Sequence, residues 1–208
     1  MLAKIFADLR HDFEGSRFRD GVDRLDKAFS LALRSLLDEE QNLRSQLEAY
    51  QAHVKGGGER IGEWDPDEGY SLWEHDDDLS MEIEDAEESQ KDLRKAYMLA
   101  IYHHWERAAQ RWTGSGPHAK FKTLVLKTQE AGYSIDEGLV GLRDLVNALK
   151  HNNATWGNAL KQSWPSVIRA DIDGPSVDWY RAIKLTDDDV RTACAVVRRS
   201  APDPFPST

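Results

Sequence analysis

Arg143, Asn147 and His151 stand four residues apart in turn within the run Leu142-Arg143-Asp144-Leu145-Val146-Asn147-Ala148-Leu149-Lys150-His151-Asn152. An imidazole that titrates near neutral pH can take up a proton and return it. A guanidinium can hold a phosphate through paired N–H groups, and a carboxamide can orient either partner. Together these are the parts that phosphodiester cleavage requires. Apolar residues Leu139, Leu142, Leu145, Val146 and Leu149 recur at three and four, which predicts a helix from Ile135 or Asp136 to Asn152. Residues i and i+4 are neighbours on such a helix, and each step of four drifts by about 40°. The three side chains therefore form a slowly turning stripe about 12 Å long. Asn147 is the odd member, since Asn is a poor helix-interior residue and a buried amide needs partners. A packing role is open as well. His151, flanked by Lys150 and Asn152, would suit the last carbonyls of the helix, and Arg143 could pair with Glu106.

The elements that must position this stripe are helical. Val22, Leu25, Phe29, Leu33, Leu36, Leu37, Leu43 and Leu47 follow three- and four-residue spacing, predicting a long helix from Asp20 to Val54. Lys55-Gly56-Gly57-Gly58 ends it, because consecutive glycines make continuation costly. Residues 56–78 read as a loop whose Trp64, Tyr70 and Trp73 pin it to the body. A second long helix is expected from Leu79 to Trp112, with Leu93, Tyr97, Ala100, Ile101, His104, Trp105 and Ala108 facing a core. Thr113-Gly114-Ser115-Gly116-Pro117 breaks the chain before a third helix over His118–Ala131. A short helix before Trp164-Pro165 and a short β-hairpin within 165–185, turning at Asp173-Gly174-Pro175, are expected next. Thr186 followed by three aspartates is an N-cap signal for a last helix to Arg199. The class is all-α, an antiparallel bundle of long helices. It divides as helix 1–55, acidic loop 56–78, helical core 79–165 and C-terminal helix with tail 166–208, within one domain overall.

Net charge is −10 over 208 residues, which at first speaks against a nucleic-acid partner. The acidity is local. Residues 59–92 hold fifteen acids against Arg60 and Lys91, a local charge of −13 that leaves the remainder at +3. Between His103 and Glu130, Arg107, Arg111, Lys120, Lys122 and Lys127 outnumber two acids. The acidic segment lacks the spacing of a calcium loop, and Gly56-Gly57-Gly58 does not join a strand to a helix as a phosphate-binding loop does. Adjacent His103 and His104 point about 100° apart on a helix, and no Cys/His ligand set accompanies them, so no metal is expected. No run of about 18 apolar residues exists to span a membrane. The N-terminus lacks the pattern of a signal peptide, and the lone Cys194 fits a reducing compartment, so a cytoplasmic protein is expected.

Arg143-Asp144 followed by Asn147-Ala148-Leu149-Lys150-His151 resembles the signature of the HEPN superfamily of small helical domains. That signature is an arginine, often followed by a polar residue, with a histidine after four to six intervening residues. Asp144 matches the polar position. Seven residues, Asp144 to Lys150, separate Arg143 from His151 here, one more than the family pattern. Ala100-Ile101-Tyr102-His103-His104-Trp105-Glu106 adds weaker similarity. Many members are metal-independent ribonucleases of toxin–antitoxin, abortive-infection and CRISPR-associated systems. The resemblance implies attack of an RNA 2′-hydroxyl on the adjacent phosphorus, leaving a 2′,3′-cyclic phosphate and a 5′-hydroxyl, with no cofactor. It gives His151 the acid or base role and Arg143 the phosphate, while Asn147 and Asp144 orient these groups. Lys150, Asn152, Arg107 and Arg111 are then candidate RNA contacts. It also implies a homodimer whose facing helices form one composite site, with an antitoxin or another defence protein as partner. Two other readings stand beside it: a non-catalytic HEPN-like binding or scaffold protein, and a helical oligomerisation protein built on the 20–54 helix.

Overall fold

Apolar spacing of three and four carries the first helix much further than Asp20. In the computed structural model, which describes residues 2–202 except 171, 173, 175 and 176, α1 runs from Leu2 to Lys55. The N-terminal extension is hidden in the sequence by its many charges and by Gly15 and Gly21. Phe18 nevertheless extends the stripe of Val22 and Phe29, and all three are buried. Leu37, on the other hand, turns to solvent. The helix ends where expected. Gly57 adopts φ +90°, a conformation that favours glycine, and the Gly58 N–H donates to the His53 carbonyl at 2.9 Å.

A two-stranded antiparallel sheet follows, β1 (Gly62–Trp64) against β2 (Ser71–Glu74), within the segment expected to be a loop. Alternation over three or four residues is too short to register as a strand beside so many acids. The remaining elements are α2 (His75–Thr113), α3 (Phe121–Glu130), α4 (Leu139–His151), α5 (Ala154–Ser163), a 3-10 turn at Pro165–Val167, α6 (Trp179–Ala182) and α7 (Asp187–Arg199). The protein is all-α with one small sheet. Within 165–185 the described residues form a single antiparallel bridge, Ile168 with Ile183, and the ends of the expected Asp173-Gly174-Pro175 turn lie outside them. Among the described residues no helix is long and apolar enough to cross a membrane.

The chain forms two compact units, one comprising the segments up to Phe29 and from Arg94, the other Ser30–Leu93. The division falls inside α1 and α2. In the Ser30–Leu93 unit, α1 and α2 pair antiparallel around Leu33, Leu79, Ile83 and Ala86. Gln90 Nε2 donates to Glu40 at 2.6 Å, and Arg44 joins Glu40 to Glu87. Hydrogen bonds from Gln90 and Arg44 hold the Glu40 carboxyl below its ordinary range.

The other unit carries the larger core. Phe29, Met98, Ile101, Trp105, Leu124, Leu142, Leu145, Val146, Leu160 and Val197 are all buried. The last helix starts as the sequence predicts: Thr186 Oγ1 accepts from the Asp189 N–H at 3.2 Å, and Asp189 Oδ2 accepts from the Thr186 N–H at 2.8 Å. Burial pushes the Cys194 thiol up to about 11, so it stays protonated and packs as an apolar group. His104 stacks on Phe18 at 4.8 Å between ring centroids, and its Nε2–H donates to the Phe18 carbonyl at 3.0 Å. Burial lowers its pKa from the ordinary 6.5. The unfolded chain therefore binds this proton first, and acidification through 6.5 should erode stability. Chemical unfolding midpoints measured down this range should fall more steeply for the native chain than for His104→Gln; parallel slopes would remove the assignment.

Candidate functional site

Helix α4 is held at both ends by side chains. Asp136 Oδ1 accepts from the Gly138 N–H at 2.9 Å, which turns the chain before the helix and delays its start to Leu139. At the C-terminus Asn152 takes a left-handed conformation, φ 45°, and its N–H donates to the Ala148 carbonyl at 3.0 Å. Its side chain also fastens α6, donating to Asp178 at 3.2 Å and accepting from the Tyr180 N–H at 3.1 Å. Asn152, a candidate RNA contact by sequence, is thus occupied as a helix cap. Asn153 then caps α5, its side chain accepting from the Trp156 N–H at 3.2 Å. These two consecutive caps turn the chain sharply and bring Trp156 back beside the end of α4.

The stripe has a more definite arrangement than helical spacing alone provides. Arg143 is half-buried and bends round its own helix to Asp144, donating from Nε to Oδ1 at 2.8 Å and again from Nη2. Asp144 is buried, and its Oδ2 accepts from Ser163 Oγ of α5 at 2.9 Å. The guanidinium carbon lies 4.7 Å from the Phe121 ring centroid and 5.6 Å from that of Trp156. Such cation–π contacts are each favourable by about 0.5–2 kcal/mol. His151 lies 6.4 Å from the same Trp156 ring, at an interplanar angle of 25°. Its side chain is exposed, and its ring nitrogens make no hydrogen bond to the described residues. Asn147 is turned to its own helix, its Nδ2 donating to the Arg143 carbonyl at 3.0 Å. One indole thus touches both the cation and the imidazole of the stripe.

Helix α2 borders Arg143 through Tyr102. The buried Tyr102 hydroxyl has its pKa raised, first by burial and then by Glu106, with Arg143 opposing the rise. Glu106 does not pair with Arg143, as one reading of the sequence expected. It accepts instead from His103 Nδ1 at 2.9 Å, because Asp144 already occupies the guanidinium. His103 and His104 diverge as helix geometry requires, one toward Glu106 and the other toward Phe18. Among the described residues no three His, Cys, Asp or Glu side chains gather as metal ligands. Lys150, Arg107 and Arg111 are exposed, with Arg107 Nε donating to the His103 carbonyl at 3.2 Å.

Phe121, Trp156 and Ser163 escape notice in the sequence because they reach the stripe from α3 and α5, not along α4. The one local signal is Asn153, an N-cap residue immediately after the predicted helix end, which sets Trp156 in the first turn of a returning helix. Gly157 lets that helix seat closely. A Cβ there would stand 1.9 Å from the Trp179 ring. Gly157→Ala should therefore cost about 1–3 kcal/mol in urea unfolding, and a variant as stable as the parent would show that α5 can shift freely.

No family model matches the chain, and no curated protein or solved structure matches it.

Proposed function

We propose that the protein is a metal-independent endoribonuclease of a toxin or immune type. The observation that carries this reading is the exposed His151 ring, its nitrogens unused by the described residues, on the indole that also touches Arg143. An imidazole so placed can remove the proton from a 2′-hydroxyl or deliver one to a departing 5′-oxygen. In the reaction the 2′-oxygen bonds to phosphorus as the P–O5′ bond breaks. The 2′-proton passes to the base and the 5′-oxygen gains a proton. A guanidinium beside the phosphate offsets the charge that builds on its oxygens. Arg143 and His151 lie two turns apart, about 12 Å along the axis. Two copies of α4 brought face to face would set the arginine of one chain near the histidine of the other, and would double the cations Lys150, Arg107 and Arg111. A homodimer is therefore the proposed working form, with an antitoxin or similar defence protein as its natural control.

A second reading rests on the Arg143–Asp144 pair. With Nε and Nη2 already donated to Asp144, the guanidinium serves packing, and the face binds a ligand without cleaving it. The two readings separate in one assay. Purified full-length protein with single-stranded RNA in EDTA should cut unmodified RNA and leave a 2′-deoxy strand of the same sequence intact. Binding of both strands without cleavage would establish the second reading.

A further inference from the structure

The Ser30–Leu93 unit bears a feature that the ribonuclease reading does not use. Its two-stranded sheet and the residues that lead into each strand leave Ile61 53 %, Trp64 38 %, Tyr70 53 %, Leu72 52 % and Trp73 41 % exposed. Five large apolar side chains are exposed within thirteen residues, and they line both faces of the short hairpin: Trp73 pairs with Glu63 and Ser71 with Trp64, so the two indoles project to opposite sides. Trp and Tyr are also the residue types that dominate binding hot spots.

The tip is built in advance. Tyr50 Oη of α1 accepts from the Ile61 N–H at 2.8 Å, and the His75 ring meets the Tyr50 ring edge-on at 5.0 Å. The turn between the strands is closed by Asp65, whose Oδ1 accepts from the N–H groups of Asp67 and Glu68 at 2.9 and 2.7 Å. The Asp65 N–H donates to the Tyr70 carbonyl at 2.9 Å. A surface fixed in this way loses little freedom when something binds to it.

Charge selects the occupant. Residues 59–78 hold nine acids against Arg60 alone, and Arg60 is paired with Glu74 at 3.3 Å. Such a field repels a phosphate backbone and an anionic lipid surface. A second copy of the same tip would be repelled as well, so self-association through this face is disfavoured. What fits is a protein segment with apolar side chains between lysines or arginines, complementary in both respects. We propose that the β1–β2 tip is a docking surface for such a basic, apolar-anchored segment of a partner protein.

The test uses the full-length chain and a short fluorescent peptide in which leucine and tryptophan alternate with lysine and arginine. A control peptide of equal charge carries serine at the apolar positions. The native protein should bind the first at least about 10-fold more tightly than the second, as truncating hot-spot contacts does. The Leu72→Ser/Trp73→Ser variant, with unchanged circular dichroism, should lose that preference. Tyr70→Ser should weaken it independently. Equal affinity of the native chain for both peptides would reduce the tip to a diffuse charge effect and overturn the proposal. An undiminished preference in both variants, or loss of an RNA strand's binding on mutating the tip, would overturn it too.

Discussion

Replacing His151 by alanine is expected to lower RNA cleavage by about 10²–10⁴-fold, the usual contribution of a positioned general acid or base. The side chain is exposed and, among the described residues, stacks only on Trp156, so little packing is lost with it. Stability should stay within about 0.5 kcal/mol of the native chain, as for surface substitutions in general. This separation of effects is what makes the variant informative. A histidine that merely closed the helix end would change stability and leave cleavage alone. RNA turnover and the unfolding midpoint, measured on the same preparation, distinguish the two roles.

Asp144→Ala should have the largest effect on the fold. Asp144 is buried and joins α4 to α5, holding Arg143 through Oδ1 and Ser163 through Oδ2. Its removal leaves the half-buried guanidinium without its carboxylate between two aromatic rings. Breaking a buried pair from one side typically costs about 3–5 kcal/mol. Arg143 keeps some access to solvent, so the lower end is expected. The pair itself contributes less than this number, because most of the loss comes from the stranded charge. Arg143→Met on top of Asp144→Ala should therefore restore part of the stability. Urea unfolding of the native chain, both single variants and the double variant gives the coupling directly. A midpoint for Asp144→Ala equal to that of the native chain would mean that the ion pair does not hold α4.

How legible this arrangement is in the sequence depends on the range of the contacts. The period of Leu139, Leu142, Leu145 and Leu149 places α4 and its polar stripe, and the Thr186–Asp189 spacing places α7, since both are local patterns. The start of α1 is not legible, because Gly15 and Gly21 interrupt a stripe that Phe18 and Val22 continue only against tertiary partners. His104 shows the reason at Gly21, where a Cβ would stand 2.3 Å from its ring. Within the stripe, residue types are legible and their partners are not. An arginine that binds its immediate neighbour must curl around the helix, and only the burial of Asp144 against Ser163 makes that arrangement favourable. Trp156, the ring common to Arg143 and His151, comes from a helix placed by two successive caps, Asn152 and Asn153. The acidic 59–92 segment is plain in composition, but its exposed aromatic sheet depends on a pairing of two very short strands.

In the proposed reaction, His151 and Arg143 cleave RNA by internal attack of the 2′-hydroxyl. Mapping the termini of an end-labelled RNA after incubation with the full-length protein in EDTA tests it most directly. The native chain should leave 2′,3′-cyclic phosphate and 5′-hydroxyl ends, and His151→Ala should leave the RNA intact. Products bearing 3′-hydroxyl and 5′-phosphate ends, or the same cyclic ends at the same rate from His151→Ala, would contradict it.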